Sequence, residues 1–225
     1  MCRTWNTVCG RGSGIGVQSF EAGGTVVHAP DTATTLVLCS ASEGAYVVGP
    51  RDRARYRVGG DARRTVVRLA PGRARAVLDV PVDELVDRVV PLGEVWGRPV
   101  GDEAALRSAL LRRVAAVDPK RSDLVHAAAR LLRAHGVAET ARALAVSERH
   151  LRTVFTRAVG LSPKQFARVD RVRRVVARGR RGGWARLAAE LGYYDQAHLS
   201  REFRATMGVP PDAYLAGDLP AATYC

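Results

Sequence analysis

The spacing of apolar positions changes period part-way along the chain. Up to residue 69 they come in short runs: Thr25-Val26-Val27, Thr35-Leu36-Val37-Leu38-Cys39, Ala45-Tyr46-Val47-Val48 and Thr65-Val66-Val67-Arg68-Leu69. Clusters of Gly, Pro, Asp and Ser separate them, which predicts strands broken by turns. In Arg51-Asp52-Arg53-Ala54-Arg55-Tyr56-Arg57-Val58 the arginines alternate with other residues, predicting a strand with one wet face. After Pro71-Gly72 the texture turns helical. Arg73 to Val80 and Val82 to Val90 read as short helices, punctuated by Pro81 and Pro91. Glu103 to Ala116 reads as a longer helix with Leu106, Leu110 and Leu111 at helical spacing. Val117-Asp118-Pro119-Lys120 reads as a linker.

From Ser122 onward the pattern is helical throughout. Ser122 or Asp123 can cap a helix with the stripe Leu124, Ala128, Leu131 and Leu132, ended by Gly136. Ala138 to Leu144 is a short helix. A tight turn leads to Ser147, an N-cap for Glu148 to Val159, and Gly160 stops that helix. Ser162-Pro163 starts the next, with Ser as cap and Pro at the first position. Phe166, Val169, Val172 and Val176 seat this long helix on the core. Gly179-Arg180-Arg181-Gly182-Gly183 breaks it. Trp184 to Leu191 follows, then Asp195 caps Gln196 to Met207, Gly208-Val209-Pro210-Pro211 stops that helix, and Asp212 to Leu215 forms a last turn.

Part of this region occurs twice. Leu144-Ala145-Val146-Ser147, then Leu151, Phe155 and Gly160-Leu161-Ser162-Pro163, returns as Leu191-Gly192-Tyr193-Tyr194-Asp195, then Leu199, Phe203 and Gly208-Val209-Pro210-Pro211. The offset is 48 from Leu151 to Leu199 and from Gly160 to Gly208, but 47 from Leu144 to Leu191, so the second turn is one residue longer. Each copy reads as helix, turn, capped helix and glycine stop. In the first, Leu151, Val154, Phe155 and Ala158 fall at i, i+3, i+4 and i+7 and are expected to face inward. Arg149, Arg152, Thr153 and Thr156 then form the outer stripe. In the second, Leu199 and Phe203 face inward, Ala197, Ser200, Arg201 and Arg204 face outward, and Gln196 stands at the helix start. Arginines and hydroxyls on an exposed helical stripe suit a major groove, where Arg bonds guanine edges and Thr reaches phosphate or a thymine methyl. The free amides of each helix start suit phosphates. An arginine face is usually only a solvated face; two copies in register are harder to dismiss.

Charge sharpens the picture. The chain carries a net +13, unevenly spread. Met1 to Asp118 holds 16 basic and 13 acidic residues, a net of +3, whereas Pro119 to Gly217 holds 19 and 8, a net of +11. A compositional preference for Arg over Lys explains part of the charge but not its asymmetry. A base-rich segment attracts a polyanion and releases its counterions. Double-stranded DNA is the expected partner.

At these residues the chain resembles a family. From about Asp123 to Gly217 it resembles the DNA-binding domain of the AraC/XylS transcription regulators. The most specific stretch is Leu187-Ala188, Leu191-Gly192-Tyr193-Tyr194-Asp195-Gln196-Ala197-His198-Leu199, Phe203-Arg204, Gly208 and Pro210-Pro211. The resemblance implies about seven helices, with two recognition helices joined by a long central one and entering successive major grooves. On that reading Arg149, Arg152 and Thr153 serve one half of the site, and Gln196, Ala197, Ser200 and Arg201 the other. Three features depart from the pattern: Ala145 where the first turn often has Gly, Trp184 where a smaller aliphatic is usual, and the arginine-rich Arg178-Gly179-Arg180-Arg181. The first module, through Gly49-Pro50, Leu69-Ala70-Pro71-Gly72, Val82-Asp83-Glu84-Leu85, Val89-Val90-Pro91-Leu92 and Trp96-Gly97, resembles one found in some actinobacterial members. That implies a sensory or dimerising domain. It leaves room for a small-molecule effector and a homodimer, with RNA polymerase as a further expected partner. The chain begins late relative to such relatives, which leaves open a shortened start or a missing first strand.

The expected fold class is therefore α+β: a small β-rich module with trailing helices over 1–117, and an all-α domain with two helix-turn-helix units over 122–217. Other chemistries fare worse. Cys2, Cys9, Cys39 and Cys225 are scattered without the paired spacing of a zinc site or disulfide framework, which argues against a DNA-repair methyltransferase fusion with a zinc-bound cysteine. His28 stands alone before His126, against a metal site of several imidazoles; His126, His135, His150 and His198 suit surface contact or packing. Gly10-Arg11-Gly12-Ser13-Gly14-Ile15-Gly16 fits neither nucleotide-binding glycine pattern and suggests a flexible hairpin. Trp5, Leu36, Leu38, Tyr46, Tyr56 and Trp96 could line a pocket but suit a plain core better. No catalytic residue, metal or cofactor is expected. No apolar run reaches the roughly 20 residues of a bilayer span, and the start lacks a signal core, so a cytoplasmic protein without a membrane partner is expected. A non-specific architectural DNA binder is the other alternative.

Overall fold

A computed structural model describes residues 15–21, 24–39, 44–59, 63–100, 102–115 and 119–222. Trp5, Cys2, Cys9 and Cys225, most of the Gly10–Gly16 run and residues 117–118 of the expected linker lie outside them. The fold is α+β, with a β-rich first part followed by helices.

Seven strands are described: β1 (Ile15–Glu21), β2 (Gly24–His28), β3 (Thr34–Cys39), β4 (Ala45–Val48), β5 (Arg55–Gly59), β6 (Arg63–Leu69) and β7 (Val89–Pro91). An antiparallel five-stranded sheet has the order β1-β6-β3-β4-β7, and β2 pairs with β5 in a separate two-stranded ribbon. Strand side chains alternate between faces. Leu36, Ala45, Val47, Val67 and Leu69 therefore share one face of the larger sheet, and all are buried in the first core. Three helices cover that face: α1 (Arg73–Leu78), α2 (Leu92–Trp96) and α3 (Glu103–Ala115). They contribute Ala74, Val77, Leu78, Leu92, Trp96, Leu106, Ala109 and Leu110. Leu111, one position off that stripe, is instead 64% exposed. Of the aromatic and leucine positions proposed for a pocket, Leu36, Leu38 and Trp96 belong to this core. Tyr56 is buried elsewhere, against the helical part.

The stretch expected as a helix from Val82 to Val90 is a single 3-10 turn, Val82–Leu85, followed by β7. Asp87 adopts a left-handed φ of 58°, which ends any helix, and Val89 and Val90 pair with Val48 and Val47 of β4. This turn also explains Gly49: its N–H donates to the Arg88 carbonyl at 3.0 Å, and a Cβ there would stand 1.7 Å from the Leu85 carbonyl oxygen.

Among the described residues seven helices follow: α4 (Pro119–Leu131), α5 (Val137–Ala143), α6 (Glu148–Val159), α7 (Pro163–Arg178), α8 (Trp184–Glu190), α9 (Gln196–Met207) and α10 (Pro211–Ala216). α4 begins at Pro119, three residues before the expected Ser122 cap, because proline's fixed φ suits a first helical turn. Gly136 is the N-cap of α5 rather than the end of α4. Two cores divide this region. Val125, Ala128, Leu132, Ala141, Leu151, Phe155 and Phe166 form one; Val172, Val175, Trp184, Leu187, Leu199, Phe203 and Met207 form the other. α7 contributes to both, so one rigid rod holds the two helix pairs.

Candidate nucleic-acid interface

α6 and α9 are built alike. The Ser147 side chain accepts from the His150 N–H at 3.1 Å, and Asp195 accepts from the His198 N–H at 2.6 Å. Each side chain satisfies an amide that the first turn of a helix leaves without a partner. At the other end Gly160 (φ 84°) and Gly208 (φ 81°) take the left-handed conformation. Their N–H groups bond the carbonyls of Thr156 and Arg204. The turn before each capped helix also needs a positive φ. Gly192 supplies it at 73° in the second copy, and Ala145 adopts 54° in the first. The departure noted in the sequence is thus tolerated with the glycine-like backbone retained.

The inward faces agree with the expected periodicity. Leu151, Phe155, Ala158, Leu199 and Phe203 are buried, and Val154 is half-buried. Phe155 meets Phe166 of α7 edge-on, with ring centroids 5.2 Å apart. The outer stripes face solvent: Arg149, Arg152 and Thr153 are exposed and Thr156 half-buried on α6; Gln196, Ala197, Arg201 and Arg204 are exposed and Ser200 half-buried on α9. Two of these side chains have partners within their own helix. Arg152 bonds Glu148 at 2.6 Å, and the Thr153 hydroxyl donates to the Arg149 carbonyl at 3.0 Å.

The second helix is fixed to α7 by polar contacts as well. Arg171 makes two parallel bonds to Glu202, both 3.0 Å, and its guanidinium lies 4.8 Å from the Tyr193 ring centroid. Burial, and then the Glu202 carboxylate, push the Tyr193 phenol above its ordinary range. Trp184, larger than the usual aliphatic, is accommodated because its indole N–H donates to Asp212 at 2.7 Å and its ring covers Gly179, where a Cβ would stand 2.8 Å away. Tyr194 is set apart by its exposure, which the sequence does not signal. It is 93% exposed directly before the cap of α9; its neighbour Tyr193 is 5% exposed, and adjacent tyrosines give no sign of which will be buried.

The family model described as "Helix-turn-helix domain" matches residues 140–217. Residues 140–217 are an AraC-type helix-turn-helix domain. The protein is a DNA-binding transcription regulator. Comparison with curated proteins gives no match. Among solved structures, the chain is similar to ToxT from Vibrio cholerae O395, with 10% identity, a TM-score of 0.45, and coverage of 91% of this chain and 98% of that one. It is also similar to unsaturated fatty acid bound wild-type ToxT from Vibrio cholerae strain SCE256, with 12% identity, a TM-score of 0.41, and coverage of 92% and 97%.

The AraC-type domain is held by the first module at three places. The end of α6 meets both Pro50, just after β4, and the 3-10 turn after α1: a Cβ on Gly160 would stand 2.7 Å from Pro50 Cγ and 2.9 Å from the Val82 carbonyl oxygen. On α7, Arg168 pairs with Asp52 at 2.8 Å, and Arg173 pairs with Asp31, which also holds Arg68. At the end of α9, the Ala54 N–H donates to the Thr206 carbonyl at 2.9 Å and the Tyr56 hydroxyl to the Met207 carbonyl at 2.6 Å. None of these contacts covers the outer stripes. Among the described residues no cluster of three or more His, Cys, Asp or Glu side chains could hold a metal ion, and no helix is long and apolar enough to cross a membrane.

Proposed function

We propose that the AraC-type domain reads one asymmetric DNA site through two contact patches about one helical turn, roughly 34 Å, apart. α6 enters one major groove with Arg149, Arg152, Thr153 and Thr156, and α9 enters the next with Gln196, Ala197, Ser200, Arg201 and Arg204. The observation that carries this reading is the pair of exposed polar stripes on two helices with the same capped start and glycine stop. On this reading Arg201 and Arg152 bond base edges, while the amides at each helix start suit phosphates. The strongly basic charge of residues 119–217 supplies the sequence-independent part of the affinity.

In this reading the chain divides at about residues 117–122. The first module acts as a sensor or dimerising unit that couples an effector or a second protomer to DNA binding. The protein works in the cytoplasm, is not an enzyme, needs no cofactor, and acts on RNA polymerase once seated on its site. Selection of bound duplexes from a random pool tests the proposal. Two recovered sequence blocks one helical turn apart are expected. Recovery of unrelated sequences would turn the reading to a non-specific architectural binder.

A further inference from the structure

The β2–β5 ribbon has two chemically opposite faces. Its register sets Val27 against Tyr56, His28 against Arg55 and Val26 against Arg57. Residues directly opposed in an antiparallel pair share a face, and successive pairs alternate. The Val27–Tyr56 face is occupied: Val27 packs on the core of Trp184, Leu199 and Phe203, and Tyr56 bonds Met207. His28, Arg55 and Arg57 therefore turn away from the AraC-type domain. On β6, Thr65, Val67 and Leu69 are committed to one side, with Val67 and Leu69 in the core beneath the helices, which leaves Arg64 on the sheet's other side. Arg51 joins from the bridge at which its backbone exchanges hydrogen bonds with Asp31 (2.9 and 2.7 Å).

These groups converge. After burial, the charges of Arg51, Arg57, Arg64 and Arg55 hold the His28 imidazole down to a pKa of about 4, so it is neutral at physiological pH. The carboxylates bearing on Arg51 are Asp31 and Asp87, and both have other work. Asp31 accepts from Arg68 and Arg173; Asp87 lies 3.5 Å from Arg55, which also bonds its backbone carbonyl at 2.9 Å. Arg51 Nε is buried without a hydrogen-bond partner among the described residues. A buried cationic donor left unmatched beside like charges is costly. An oxyanion removes that cost, because guanidinium groups match carboxylate and phosphate oxygens in paired bonds.

We infer that the arginine-lined side of the β2–β5 ribbon binds a small oxyanion, a carboxylate or a phosphate, through Arg51, Arg55, Arg57 and Arg64, with His28 beside it. This rests on the reading of the first module as a sensor and gives its effector a chemical class. The site has a route to the DNA-binding part: Arg51 is joined through the backbone to Asp31, and Asp31 grips Arg173 of the central helix. The ligand is a small anion rather than duplex DNA, because the ribbon packs against the end of α9 opposite the start that carries Gln196.

The test uses the full chain, titrated calorimetrically and by thermal unfolding with inorganic phosphate, hexanoate and, as the neutral control, hexanol. The expected result is saturable one-to-one binding of phosphate or hexanoate but not hexanol, with an upward shift of the His28 imidazole pKa followed by NMR. Arg51→Gln and Arg57→Gln should each weaken that binding at least about tenfold, on the scale of a charge-assisted hydrogen bond. Arg51→Gln without anion should be no less stable than the parent, whereas a purely structural arginine would lose stability. Preference for phosphate points to a phosphorylated effector, preference for hexanoate to a carboxylic acid. Failure of both anions to bind, or binding unchanged in Arg51→Gln with His28 unmoved, overturns the inference. Sequence-specific DNA binding measured on the same preparation separates the two readings: if it persists while anions fail, the anion site alone is lost.

Discussion

The Tyr56 hydroxyl donates to the Met207 carbonyl at 2.6 Å, a hydrogen bond between residues 151 positions apart. The last carbonyls of a helix have no partner within it, and α9 has two of them satisfied from the first module, Met207 by Tyr56 and Thr206 by the Ala54 N–H. α6 likewise ends against that module, at Gly160 beside Pro50 and Val82. Gly160 and Gly208 are the same position in the two copies, 48 residues apart. The first module therefore touches both α6 and α9 at the ends opposite their capped starts, and touches the rod between them through Asp52 and Asp31.

The two stop glycines allow that contact to be measured. Both need a positive φ, so Gly→Ala at either should cost about 1 kcal/mol for the left-handed backbone. At Gly208 the nearest atom to a new Cβ is Pro220 Cγ at 3.6 Å, an ordinary contact, whereas at Gly160 the neighbours are Pro50 and a backbone carbonyl under 3.0 Å. Gly160→Ala is expected to cost about 1–3 kcal/mol more than Gly208→Ala, the usual penalty of overpacking. Denaturant unfolding of the two variants measures the difference. Equal losses would mean that the first module does not press on α6.

Ala145 offers the reverse experiment. It holds a φ of 54° where the equivalent Gly192 holds 73°, and it is exposed, so its methyl group adds little burial. Ala145→Gly should stabilise by about 0.5–1 kcal/mol, the left-handed strain relieved less the added freedom of the unfolded chain. Gly192→Ala should destabilise by a similar amount. A pair of thermal melts settles both signs.

The contrast between these turns and the interface shows what the sequence reveals. Ser147, Asp195, Gly160 and Gly208 act within a few residues of themselves, so the starts and stops of α6 and α9 were readable to the residue. The buried stripe through Leu151 and Phe155 and the outer one through Arg149 and Arg152 follow from the same local period. β7 is not legible in the sequence because one turn of helical spacing, Val82 to Leu85, precedes two valines whose strand character depends on β4, some forty residues earlier. The pairing of Asp31 with Arg173 and of Asp52 with Arg168 left no local trace at all. Neither did the convergence on His28, which needs the β2–β5 register and the side chosen by Arg64. Alternation in Arg51–Val58 did signal a polar face, but as a solvated one.

His28 sets a pH dependence of its own. Burial and the surrounding arginines lower its pKa from 6.5 to about 4, so the folded protein disfavours the proton that the unfolded chain accepts. Stability from this group is complete above pH 6.5 and is lost progressively as pH falls toward 4. With partial solvent screening the loss should be on the order of 1–2 kcal/mol. His28→Gln should flatten the stability profile across that window. An unchanged slope in the variant would show that other groups titrate there.

Arg152 is held by a neighbour on its own helix. Its bond to Glu148 spans one helical turn between side chains that are 60% and 43% exposed, and such pairs contribute only about 0.3–0.5 kcal/mol. Release is therefore cheap, so the proposed exchange of Glu148 for a guanine edge costs Arg152 little. Removing the carboxylate should help, since it also repels phosphates: Glu148→Gln should tighten DNA binding a few-fold with little change in stability. Arg152→Ala should cost about 1–3 kcal/mol on the selected site and relax preference at one end of it, while Arg201→Ala does the same at the other end. Binding isotherms on the selected duplex and on single-block variants separate the two ends. If either alanine weakens all duplexes equally, that helix is touching phosphate alone, and the reading of bases by its outer stripe is wrong.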